Sequence, residues 1–158
     1  MGLPAFPVEG GCQCGAVRYR LTASPLGVYN CHCKDCQHFS GAGWSMSMIV
    51  EDADFTLLSG ETVQYRRKAD SGNVIVMNFC AHCHGWVWND PAGPGVKVVR
   101  AGTLDDIDWA EPVGNIWTDS KARWARIDPA LVNYPKGAVD RQPLFDAWTR
   151  LHQQDTRA

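Results

Sequence analysis

Seven cysteines in a chain of 158 residues fall into three tight groups. Cys12 and Cys14 form a C-x-C, Cys31, Cys33 and Cys36 a C-x-C-x-x-C, and Cys80 and Cys83 a C-x-x-C. Each group must sit on a turn that aims its sulfurs the same way, which restricts the folds open to the chain. A disulfide framework fits poorly. Seven is odd, and the C-x-C loop is too tight for easy bridging geometry. The opening residues carry neither a basic run nor an apolar one, so no export signal is read there. A reducing, cytoplasmic setting is expected, where disulfides do not persist.

Metal binding fits better. Thiolates one to three residues apart converge on a tetrahedral zinc ion when a turn points both inward. Ligand counting suggests a partition. Cys12, Cys14, Cys80 and Cys83 supply two pairs and close a four-thiolate structural site. Cys31, Cys33 and Cys36 supply three donors and leave one position for water, thiol or substrate, as catalytic zinc sites do. The alternative is that His32, His38, His82 or His84 fills the fourth position, making both zincs structural. Cys80 to His84 also spells C-x-x-C-H, the string that attaches c-type haem, but that reading leaves five cysteines unexplained. A thioredoxin-like C-x-x-C is set aside because no βαβ pattern surrounds it.

The rest of the sequence reads mainly as β structure. Val17–Thr22 alternates with period two, and Trp44–Met48 does so again before Ile49 and Val50. Phe55–Leu58, Val63–Tyr65, Val74–Met77, Trp86–Trp88 and Val96–Val99 are further β-branched or aromatic runs. Turn clusters separate them at Gly10–Gly11, Ser59–Gly60, 70–73 and 89–95. Many short strands punctuated in this way imply an antiparallel, meandering sheet. Helix is scarce. Cys33–Ser40 is read as one or two turns stopped by Gly41. Leu144, Trp148 and Leu151 recur at helical spacing after Pro143, giving a short C-terminal helix with Trp148 in the core.

Length and composition bound the function. At about 150 residues per domain the chain makes one domain, residues 1–158. No run approaches the roughly 18 apolar residues of a membrane span. Fifteen basic against seventeen acidic residues give a net charge of −2, which argues against a nucleic-acid or anionic-membrane partner.

The motifs resemble one family. They are Gly11–Gly15 with Val17 and Tyr19, Cys31–Cys36 followed by Ser40 and Gly41, Phe55 with Ser59–Glu61, Phe79–Cys83, and Ala101–Asp105. In order and spacing they are similar to the glutathione-dependent formaldehyde-activating enzymes and their relative centromere protein V. The resemblance covers residues 10–125, leaving 126–158 as a C-terminal extension. It implies a β-tent fold with two zinc ions per chain. It carries Cys12, Cys14, Cys80 and Cys83 to the structural zinc, and Cys31, Cys33 and Cys36 to the catalytic one. It also implies a carbon–sulfur lyase that joins glutathione, or a similar thiol, to a small aldehyde such as formaldehyde. A non-enzymatic zinc module for a protein or nucleic-acid partner is the competing class, since centromere protein V belongs to the same family.

One departure is visible. Family members usually follow the C-x-x-C with Gly and a small residue, whereas this chain has His84, Gly85 and Trp86. His84 is read as a surface or packing residue, Trp44 as core with pocket lining as the alternative, and Arg66, Arg67 and Lys68 as a solvated charge run in a loop.

Overall fold

The computed structural model describes residues 2–69, 72–90 and 95–155, so the expected turns at 70–73 and 89–95 lie partly outside the described residues. The fold is mainly β, with eleven strands and two α-helices among the described residues. Strand β1 (Val8–Gly11) pairs antiparallel with β2 (Arg18–Leu21), and β2 with β5 (Phe55–Ser59), making a three-stranded sheet. The second sheet has eight strands. Its members are β3 (Gly27–Cys31), β4 (Ser45–Glu51), β6 (Thr62–Lys68), β7 (Val74–Cys80), β8 (Trp86–Asp90), β9 (Val96–Arg100), β10 (Gly114–Ile116) and β11 (Val132–Asn133). They run in the order β11-β10-β3-β4-β9-β8-β7-β6.

The period-two pattern of β2 is realised directly. Tyr19 and Leu21 are buried, while Arg18 and Arg20 face outward and pair with Asp105 and Glu9. Gly10 and Gly11, read as a turn, instead form the end of β1. A Cβ on Gly10 would lie 2.4 Å from the Tyr19 hydroxyl, and one on Gly11 would lie 2.2 Å from the Val17 carbonyl. These glycines therefore serve close approach between strands.

The sheet is not wholly antiparallel. Strand β10 pairs parallel with both β3 and β11, through connections too long for a local pattern to reveal. Strand β6 extends through Lys68, so Arg66, Arg67 and Lys68 stand on a strand and not in a loop.

Helix α1 (Lys34–Ser40) lies in the connection from β3 to β4, which pair antiparallel with Cys31 opposite Ser45. Cys33 caps its N-terminus, and Gly41 ends it in the left-handed region at φ 64°. Helix α2 (Gln142–Asp155) buries Leu144 and Trp148 against the sheet. The Trp148 indole donates to Ser24 Oγ at 3.0 Å, satisfying its one polar atom in the core. No helix among the described residues is long and apolar enough to cross a membrane.

Candidate metal centres

The first centre joins the two sheets. Cys12 and Cys14 lie in the connection from β1 to β2, where the Gly15 amide donates to the Cys12 carbonyl at 3.0 Å. Cys80 ends β7, and Cys83 lies in the turn that follows, closed by the His84 amide donating to the Cys80 carbonyl at 3.0 Å. The four sulfurs all lie within 4.8 Å of one another. Cys12 and Cys14 are 3.4 Å apart, and Cys14 and Cys80 are 3.8 Å apart. A tetrahedron with metal–sulfur bonds of about 2.3 Å has sulfur–sulfur edges of about 3.8 Å, so the spacing suits zinc. All seven cysteines are free thiols.

Backbone amides face these sulfurs. Val17 donates to Cys12 Sγ at 3.2 Å and His82 to Cys80 Sγ at 3.3 Å. Such donors favour the thiolate. Burial raises the Cys12 thiol, but the Val17 amide and the neighbouring thiols outweigh it and bring the group down to about 6.

The second centre is built on β3 and α1. Cys31 ends the strand, Cys33 caps the helix and Cys36 sits in its first turn, and their three sulfurs lie within 4.8 Å of one another. Cys31 and Cys36 are buried, and Cys33 is the most open of the three. Three adjacent thiols do not ionise together without a cation. Hydrogen bonds from the Cys31 and Cys33 thiols hold Cys36 far below the usual thiol range, helped by the Arg100 charge and the Ser45 hydroxyl. Cys31 is driven well above that range by the same contacts and by burial.

None of the histidines weighed as a fourth ligand joins either cluster. His32 is buried, with Nε2 3.2 Å from Asn115 Oδ1 and its ring 5.6 Å from that of Trp44. His38, His82 and His84 are exposed. His84 occupies the left-handed region at φ 56°, a backbone conformation that favours glycine.

Two further expectations need correction. Trp44 is not core but 39% exposed, standing between His32 and Trp124. Arg67 is no solvated charge. Its guanidinium pairs with Asp35 at 2.6 Å and ties β6 to the helix that carries Cys36. Arg66 and Lys68 are exposed, as the charge run suggested.

Sequence reasoning missed Arg100. It ends β9, 7% exposed, with Nη1 donating to Ser45 Oγ at 3.1 Å and Nη2 to the Val98 carbonyl at 3.3 Å. Its Nε has no partner, and no carboxylate pairs with it among the described residues. Its charge acts on Cys36, across the Ser45 that faces Cys31 in the ladder. The only signal for it in the sequence was a second basic residue, after Lys97, closing a Val-rich strand.

Comparison with known proteins gives the family. The family model for the glutathione-dependent formaldehyde-activating enzyme matches residues 7–120, a span that includes all seven cysteines. A Halomonas elongata protein named "Putative glutathione-dependent formaldehyde-activating enzyme" is 27% identical over 143 residues, covering 84% of this chain and 91% of that one. A crystal structure of a Rhodobacter sphaeroides protein matches with a TM-score of 0.51 at 15% identity, over 80% of this chain and 98% of that chain, a likeness of fold. With most of its length and every clustered thiol inside the matched span, the chain belongs to the glutathione-dependent formaldehyde-activating enzyme family.

Proposed function

We propose that Cys12, Cys14, Cys80 and Cys83 hold a structural zinc, and that Cys31, Cys33 and Cys36 hold a second zinc at which glutathione or a similar thiol adds to formaldehyde or another small aldehyde. The observation that carries this reading is the donor count at the second centre. Three largely buried thiols converge there, and no fourth protein donor joins them among the described residues. The all-sulfur donor sets suit zinc in both places. A zinc ion at the second centre would favour the thiolate form of a thiol substrate at neutral pH.

The chain's own residues supply the frame. Cys31 is fixed by the β3–β4 ladder and Cys36 by α1, which Arg67 anchors through Asp35. Three thiolates and one divalent ion carry a net charge of −1, which Arg100 offsets from within the protein. In the addition a sulfur–carbon bond forms, the carbonyl π pair passes to oxygen, and the proton lost by the thiol ends on that oxygen. No oxidant or reductant is consumed. The reverse step, which breaks the carbon–sulfur bond, gives the carbon–sulfur lyase assignment. A cytoplasmic setting rich in thiol reductant fits both the substrate and the seven free cysteines.

The test is Cys33→Ser, which alters the most open donor. Zinc per chain should fall from two to one, the fold should persist, and thiol–aldehyde adduct formation should disappear. Retention of both zincs, or unaltered turnover, would overturn the assignment.

A further inference from the structure

His32 stands between two of the three thiols, and both polar atoms of its backbone are tied down. Its amide donates to the Ile116 carbonyl at 3.0 Å, just past the paired residues Cys31 and Ile116 of β3 and β10. Its carbonyl accepts from two side chains, Gln37 Nε2 at 2.6 Å and Ser120 Oγ at 3.1 Å. Gln37 Nε2 also donates to the Ser120 carbonyl at 3.0 Å, which closes a triangle of three residues. They come from three elements: the turn after β3, helix α1, and a 3-10 turn at Thr118–Ser120.

Both donors are themselves held. Gln37 follows Cys36 directly, and its backbone amide donates to the Cys33 carbonyl at 3.0 Å. Lys34 Nζ donates to Gln37 Oε1 at 3.2 Å, so the two hydrogens of the side-chain amide face the two carbonyls. Ser120 is delivered by a strained residue. Trp117 adopts φ 60° and ψ 40°, a conformation that a bulky side chain rarely takes and that persists only where its surroundings hold it. Its amide donates to the Lys136 carbonyl at 3.0 Å. Its carbonyl accepts from the Ser120 amide at 3.1 Å and from the Ser120 hydroxyl at 3.0 Å. The bend turns the chain out of β10 and sets Ser120 against His32.

Neither Gln37 nor Ser120 hydrogen-bonds to a sulfur, so any effect on the thiols passes through the backbone. That effect matters more here than at the first centre. Four cysteines surround a metal, whereas three make one bond fewer to offset the entropy lost in ordering their turn. Hydrogen bonds that order the turn in advance remove that cost from metal binding.

We infer that Gln37 and Ser120 are the positioning residues of the three-thiol centre, locking the His32 peptide so that Cys31, Cys33 and Cys36 stay convergent with the fourth position open. The inference deepens the reading of this centre as a three-thiolate zinc site and rests on it.

The experiment times zinc release to a chromophoric chelator from protein loaded with zinc. Gln37→Met keeps nearly the length of the side chain but has no donor, and should release the second zinc about tenfold faster or more. Ser120→Ala reaches the same carbonyl from the other side and should accelerate release several-fold, while Ser120→Thr, which keeps the hydroxyl, should stay near wild type. Combined, Gln37→Met and Ser120→Ala should fall short of the product of their separate effects, since both act at one carbonyl. The first zinc and the melting temperature should stay near wild type. With cobalt in place of zinc, the absorption bands of the second centre should shift in Gln37→Met, a signature that general loosening of the fold does not produce. Wild-type release from both single variants, equal acceleration of both zincs, or an unshifted cobalt spectrum would overturn the positioning role. Two zincs in wild type with unaltered release from the variants would remove the clamp alone. One zinc per wild-type chain would remove the metal reading and this inference with it.

Discussion

The Arg100 guanidinium lies 4.1 Å from the centre of the Trp86 ring, buried and without a carboxylate partner among the described residues. A buried charge with no opposite charge nearby is costly, and hydrogen bonds to Ser45 and Val98 do not neutralise it. The thiol cluster at Cys31, Cys33 and Cys36 provides the missing negative charge. Metal centres are commonly tuned by such surrounding groups, with losses of about 10–100-fold in affinity when one is removed. Arg100→Met, which keeps much of the apolar contact with Trp86, should therefore loosen the second zinc by about tenfold or more and leave the first in place. Arg100→Lys should restore part of the loss. Timed zinc release to a chromophoric chelator separates the two sites, and two equally retained zincs in Arg100→Met would contradict the proposed charge pairing.

The first centre should behave differently from the second. Cys12 and Cys14 follow a strand of the three-stranded sheet, while Cys80 ends, and Cys83 follows, a strand of the eight-stranded one. A zinc there closes contacts between segments far apart in sequence, with an apparent binding free energy of about 10–16 kcal/mol for structural sites of this type. That is comparable to the whole net stability of a domain, about 5–15 kcal/mol. Cys80→Ser should lower the melting temperature severely or prevent folding, whereas Cys33→Ser should melt near wild type. Thermal melts of both variants, with zinc content measured in parallel, check the contrast. Equal destabilisation by the two changes would refute the division into structural and reactive sites.

Close packing at the root of the first hairpin can be probed at Gly10. An added Cβ would meet both the Tyr19 hydroxyl and the Thr103 carbonyl at 2.4 Å. Tyr19 is held there by its hydroxyl, 2.9 Å from Thr103 Oγ1, so neither neighbour yields freely. Gly10→Ala should cost about 1–3 kcal/mol through overpacking. Denaturant unfolding would show the loss as a lower midpoint at unchanged slope. An unaltered midpoint would mean that β1 shifts to absorb the methyl group.

How much of this was legible follows from how local each feature is. The three cysteine groups, the alternation in β2 and the Leu144–Trp148 spacing of α2 are short-range patterns, and the structure follows them. Arg100 was invisible because its burial depends on Trp86 and Ser45, which arrive from two other strands. Strand β10 has three residues, too few to display a period, and its parallel partners are 85 and 18 residues away at Asn30 and Asn133. Trp44 reads as core by composition, yet it is drawn to the rim by His32 on one side and Trp124 on the other.

His84 offers a test in the opposite direction, toward greater stability. Its backbone is left-handed at φ 56°, held by its amide donating to the Cys80 carbonyl at 3.0 Å, while its exposed ring lies outside the thiol cluster. A side chain costs about 1–2 kcal/mol in that conformation, and glycine does not pay it, although glycine is also freer in the unfolded chain. The balance favours His84→Gly by about 0.5–1 kcal/mol, a rise of about 1–4 °C in melting temperature for a chain of this size. His84→Val, β-branched and so least tolerant of positive φ, should fall below wild type. Zinc content should be unchanged in both variants. A zinc lost from His84→Gly would instead make the histidine a ligand, reversing the reading of this position.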